Sequence, residues 1–204
     1  MPGGQLAVQR RAEHPGQQLV RDPGRAGGPS PRSVALVLYD GVSPFEVGVA
    51  CDVFGGEYYA QEFGVPWYQL TVCAATPSVR LDAGLRMEVP AGLDAVGSAA
   101  TVVVVPTEQP DQVPAAVLDA LRAARARGQR IPSLCTGAFI LAAAGILDGH
   151  RATTHWSECA ALAGRYPRVT VDPTCSTWTK VTCSPRRAAR PASTCACRDA
   201  FRAH

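Results

Sequence analysis

The sequence predicts an α/β fold, a three-layer sandwich with a mostly parallel, flavodoxin-like sheet and helices on both faces. Three observations carry this expectation. Residues 34–39 (VALVLY) and 101–105 (TVVVV) are short, nearly continuous aliphatic runs, the pattern of strands buried on both faces. Residues 44–54 and 113–127 follow them with apolar side chains at helical spacing. Residues 131–156 then join an extended lead to a tight turn and an apolar run unbroken until Gly145. Strands alternating with helices in this order select a parallel sheet, because each crossover helix has to cover a face of it.

The 204 residues suffice for one such domain, and a hydrophobic fraction of 47% allows a sizeable core. Residues 1–32 are rich in Gly, Pro, Gln and Arg without apolar periodicity, so they are expected to be a disordered extension. The domain is placed at 33–173. Its first strand ends at Asp40-Gly41, and Ser43-Pro44 opens a helix, with Ser43 as cap and Pro44 in the first turn. Phe45, Val49, Val53 and Phe54 are expected to form the inner face of that helix. Residues 68–75 read as a strand and 79–89 as a hairpin turning at Asp82-Ala83-Gly84. The helix of 113–127 should turn Val117, Leu118 and Leu121 inward and end at Gly128. A last helix over 157–166 and a strand at 169–171 close the readable part.

Charge is unevenly distributed. The net +3 of the chain divides into +3 for 1–32, −5 for 33–173 and +5 for 174–204. A central domain of negative sign is a poor nucleic-acid binder, because affinity for DNA comes largely from phosphate neutralisation. No apolar run is long enough to span a bilayer, and the N-terminus lacks the apolar core of a signal peptide, so a cytoplasmic protein is expected. The eight cysteines are then not presumptive disulfides.

The chemistry is concentrated at Cys135. Ser133 and Gly137 stand two positions to either side of it, the small-x-nucleophile-x-Gly layout of a strained strand-to-helix elbow. A thiol there faces the positive end of a helix dipole and free backbone N–H groups, so its pKa is expected to fall below about 8.5. The competing reading is a buried structural cysteine. Glu46, in the first turn of the helix after the first strand, either complements that helix dipole or reaches the thiol across the strand ends, where open α/β sheets place their sites. His155 stands beside Trp156, where packing competes with a role as base.

The motifs VALVLYDGVSPFEVGVACDVFG and SLCTGAFILAAAGILDGHRATTHW resemble the DJ-1/PfpI superfamily, of class I glutamine amidotransferase-like fold. Within it they look like the N-terminal sensor domain of AraC-type transcriptional regulators and like isocyanide hydratase. The resemblance implies Cys135 as nucleophile, Glu46 as the carboxyl near the thiol and His155 as a site-adjacent histidine, with Thr136, Gly137 and Thr107 at the ligand. Many relatives carry Gly-Gly where this chain has Thr107-Glu108, which puts an oxyanion-type site in doubt and favours the sensor reading. It further implies a homodimer, a small-molecule effector or substrate, and DNA contact only through a helix-turn-helix domain absent from this chain. No cofactor and no membrane partner is expected. As a hydratase, the thiolate would attack the isocyanide carbon, Glu46 would protonate, and water addition would release an N-substituted formamide. A third class is a redox-responsive protein in which Cys135 becomes a sulfinic acid.

Residues 174–204 break the pattern. Cys175, Cys183, Cys195 and Cys197 lack the spacing of a metal knuckle, so no metal site is expected. Read one base away, Thr179 to Arg186 can become Asp-Glu-Gly-Asp-Val-Leu-Thr-Ser, so the tail is expected to be out of frame and unstructured, with the end of the domain missing.

Overall fold

The computed structural model describes residues 28–173. The expectations for residues 1–27 and for the 174–204 tail, including its cysteines and its reading frame, lie outside the described residues.

Strand β1 (Ser33–Leu38) is the centre of the sheet. It pairs in parallel with β2 (Gln69–Ala74), Ser33 opposite Gln69, and with β5 (Thr101–Val104), Val34 opposite Thr101. The order is therefore β2-β1-β5. Val34 to Leu38 and Val102 to Val105 are buried, which is why both runs are continuously apolar instead of alternating. The stretch leading to the elbow continues the sheet beyond β5. Thr101 bridges Arg130 and Val104 bridges Ser133, both in parallel. It is an extended edge and not the regular strand expected, because Pro132 has no N–H with which to continue the ladder.

Helix α1 (Pro44–Gly55) follows β1 as expected, with Ser43 at the cap position, but the Ser43 side chain makes no capping hydrogen bond. The expected inner face is also displaced. Val47 and Ala50 are buried, Cys51 and Phe54 pack beside them, and Phe45 is 69% exposed. Small residues on the inner side let the helix lie close on the sheet, so its phase follows Val47 and Ala50 in preference to the bulkier Phe45. A short helix α2 (Glu57–Phe63), not foreseen in the sequence, carries Tyr59 onto Trp67, whose indole N–H donates to the Val53 carbonyl at 2.8 Å.

The hairpin β3 (Ser78–Arg80) and β4 (Arg86–Glu88) is antiparallel and turns at Asp82-Ala83-Gly84, with positive φ at Ala83 and Gly84. Helix α3 (Ala115–Ala126) buries Val117, Leu121 and Ala124, leaves Leu118 partly buried, and ends before Gly128 at φ 76°. Buried Gln129 then donates from its amide to the carbonyls of Val96 and Ala99, tying the chain to the loop before β5. Helix α4 (Ala138–Ala143) is almost wholly buried. Strands β6 (Arg151–Ala152) and β7 (Thr170–Val171), joined through helix α5 (Cys159–Arg165), pair in parallel as a small separate sheet. Among the described residues no helix is long and apolar enough to cross a membrane.

Candidate functional site

The elbow is present and strained. Leu134 is extended at φ −97°, and Cys135 turns to φ 47°, the left-handed region that L-residues rarely occupy, before residues 135–137 wind into α4. Two local facts hold this reversal. The Leu134 N–H donates to the Val104 carbonyl at 2.9 Å, fixing the last extended residue on β5. Gly137 then lies so close to the strand that a Cβ there would meet the Val104 oxygen at 3.0 Å and the Ser133 Cβ at 3.1 Å. Only glycine fits without displacing backbone, so the small residue after the cysteine is dictated by the approach of helix to sheet. From the far side the Thr154 hydroxyl donates to the Cys135 carbonyl at 3.3 Å.

Glu46 meets the thiol. β1 and the stretch before the elbow run parallel on either side of β5, so the first turn of α1 and the elbow emerge at the same end of the sheet. Glu46 and Thr136 both lie near enough to the Cys135 thiol to act on its ionisation. Cys135 is half-buried. Its thiol pKa is raised, against the expectation from the helix dipole. Burial is the largest cause, and the Glu46 charge and hydrogen bond add to it, while the Thr136 contacts pull the other way. The helix dipole expected to lower the pKa is outweighed, by burial of the sulfur first and by the Glu46 carboxyl after it.

The remaining expected positions divide. Thr136 lies at the thiol, and Gly137 is buried against the Val104 carbonyl and Ser133. Thr107 is buried, and its hydroxyl accepts the Gln109 N–H at 3.1 Å. It also closes over Gly41, where φ is 78° and a Cβ would meet the Thr107 hydroxyl at 2.9 Å. His155 is exposed, with Nδ1 paired to the Ser157 hydroxyl at 2.9 Å and its ring against Trp156. The structure thus brings Glu46 and Thr136 to Cys135 and pairs His155 with Ser157 and Trp156.

An open cleft of about 700 Å³ lies beside the elbow, with Thr107, Thr136, Phe139, Glu158, Asp111 and Arg165 among its walls. Arg165 and Asp111 form an ion pair at the cleft. Sequence reading missed Phe139, Asp111 and Arg165, which belong to an apolar helical run, a polar loop and a basic helix end. None carries a local signal. Among the described residues no group of three or more His, Cys, Asp or Glu could hold a metal ion.

Residues 32–184 match the DJ-1/PfpI family. An uncharacterized protein from the cpoL 5′ region of Streptomyces lividans is 41% identical over 145 residues, covering 67% of this chain and 96% of its own. The isonitrile hydratase of Pseudomonas putida is 50% identical over 40 residues, which is 20% of this chain and 18% of the hydratase. The crystal structure of an AraC family transcriptional regulator from Pseudomonas putida superposes with TM-score 0.58 at 25% identity, over 72% of this chain and 79% of that one. A matched family spanning most of the chain, a near full-length relative and a strained elbow with its carboxyl agree, and the chain belongs to the DJ-1/PfpI family.

Proposed function

We propose that this domain is the sensing part of an AraC-type transcriptional regulator, acting in the cytoplasm as a homodimer that binds a small molecule beside Cys135. The observation that carries the reading is the likeness to an AraC family regulator along 72% of the chain, at 25% identity. The cleft supports it. Its walls combine an aromatic floor at Phe139, two threonine hydroxyls and the Arg165–Asp111 pair, a mixture suited to holding a small polar molecule. Thr107 supports it too, because a buried β-branched residue stands where many relatives carry the first of two glycines, and it cannot readily adopt the conformations that present glycine N–H groups to an oxyanion.

The second reading is a cysteine hydratase acting on isocyanides. It is favoured by the Glu46 carboxyl on the Cys135 thiol and by the 50% identity with isonitrile hydratase over 40 residues. In that reaction Cys135 adds to the isocyanide carbon, Glu46 returns a proton to it, and water displaces the thiol to leave the formamide.

One assay separates them. The purified chain is incubated with an alkyl isocyanide and followed by NMR for the formamide proton, beside Cys135→Ala. No formamide is expected from either protein. Turnover that disappears in Cys135→Ala would replace the sensor reading with the hydratase.

A further inference from the structure

The turn that leads into α5 carries a carboxylate into the cleft. Residues 155–158 are one turn, closed by the Glu158 N–H on the His155 carbonyl at 2.8 Å. Just before it the Thr154 hydroxyl holds the Cys135 carbonyl, and at its end Glu158 is a wall of the cleft together with Thr136 and Phe139. The Ser157 hydroxyl donates to Glu158 Oε1 at 3.0 Å. A serine hydroxyl has a single proton, so its contact with His155 Nδ1 at 2.9 Å is made by the ring N–H, and the bonds run from His155 to Ser157 to Glu158. Glu158 does not cap α5 with its side chain. Among the described residues it joins no ion pair, and its second oxygen, Oε2, has no hydrogen-bond donor. Of the charged walls Glu108, Asp111, Glu158 and Arg165, only Arg165 is basic, and Asp111 is paired with it. The sign of the cleft is therefore set by Glu108, which is exposed, and by Glu158, which is half-buried with one oxygen pinned.

We propose that the ligand of the cleft carries a primary ammonium or guanidinium group and donates from it to Glu158, and that Ser157 and His155 are the positioning residues of that carboxylate. The proposal rests on the reading of the cleft as a small-molecule site and names the chemistry of what enters it. An anion would meet two carboxylates without a cation beside them and an arginine already engaged by Asp111. A quaternary cation would answer the charge but leave Oε2 without a donor. An N–H cation answers both, through a charge-assisted hydrogen bond about twice as strong as a neutral one. The Ser157–His155 chain holds the glutamate rotamer before the ligand arrives, so less side-chain freedom is lost on binding. The buried Phe139 ring on the same wall suits the apolar part of such a molecule.

The test is a residue-resolved NMR titration of the full chain with n-propylammonium, tetramethylammonium and propionate at matched ionic strength. Saturable shifts of the Thr136, Phe139 and Glu158 amides are expected with n-propylammonium, weaker binding with tetramethylammonium, and none with propionate. Glu158→Gln should raise the n-propylammonium midpoint about tenfold, the loss expected for one charge-assisted hydrogen bond. Ser157→Ala removes the middle of the chain of bonds, and His155→Phe keeps a ring beside Trp156 without the donor. Both should raise the midpoint by a smaller factor while leaving the urea midpoint in place, and Ser157→Thr should restore it. Tetramethylammonium binding as tightly as n-propylammonium, shifts with propionate alone, or a larger loss in Glu108→Gln than in Glu158→Gln overturns the proposal and leaves the cleft a small-molecule site. An absence of shifts with all of the probes removes that site and the proposal with it. Unchanged midpoints in Ser157→Ala and His155→Phe overturn the positioning roles.

Discussion

At the scale of single residues, the site rests on a cysteine in a backbone conformation that suits glycine. A left-handed φ on an L-residue costs about 1–2 kcal/mol, and Cys135 at φ 47° is held there by β5, Gly137 and Thr154. Cys135→Gly should therefore unfold at higher denaturant than Cys135→Ala, by a difference of about 1 kcal/mol. Equal urea midpoints for the two variants would show that the elbow is unstrained. The thiol itself is raised by burial first and then by Glu46. Glu46→Gln removes the charge and leaves an amide able to donate to the thiolate, so the Cys135 pKa should fall. The pH dependence of iodoacetamide alkylation reads this directly, and an unchanged or higher midpoint would contradict the contact with Glu46.

At the scale of elements, two helices meet the sheet by opposite means. α4 approaches through Gly137, where a methyl group would collide with the Val104 carbonyl and Ser133. Gly137→Ala should cost about 1–3 kcal/mol in overpacking and move the thiol, so both the melting temperature and the alkylation rate should change. α1 lies on Val47 and Ala50 and leaves Phe45 outward, where it borders a shallow groove with Gly48, Val49 and Val53. An apolar helix face of this kind suits a second copy in the proposed homodimer. Phe45→Asp should shift the species seen by light scattering from dimer to monomer while leaving the Cys135 pKa in place. A wild-type chain that is monomeric at micromolar concentration would remove this role for α1.

At the scale of the whole molecule, several core groups resist ionisation. Cys73 is pushed up to about 11 by burial and then by Asp94, and burial also raises Cys51 and the Tyr39 hydroxyl, which donates to the Val105 carbonyl. Each folded-state pKa lies above its unfolded value. The stability these groups contribute is therefore complete below about pH 8.5, the unfolded thiol value, and is lost as pH rises toward and through the folded values. The urea midpoint should hold from pH 6 to 8 and fall by pH 11, and Cys73→Val should reduce that fall. A midpoint independent of pH over this range would show that the thiols are accessible to water.

How much of this could be read beforehand follows from the range of each interaction. Chain-local chemistry was legible: the apolar runs of β1 and β5, the Asp82-Ala83-Gly84 turn, the end of α3 at Gly128 and the small residues flanking Cys135 all follow from neighbours a few positions away. The inner face of α1 was misjudged because side-chain size ranks candidates in the sequence, whereas closeness to the sheet chose Val47 and Ala50. α2 was missed because its burial partner, Trp67, comes from the following loop. The sequence by itself determined the parallel α/β class and the elbow, since both arise from backbone sterics and local apolar pattern. Only the tertiary structure decided that the Glu46 carboxyl acts on the Cys135 thiol. It also decided that Phe139, Asp111 and Arg165 share one cleft. Those contacts join residues dozens of positions apart, and the order of strands in the sheet, not their order in the chain, brings them within reach.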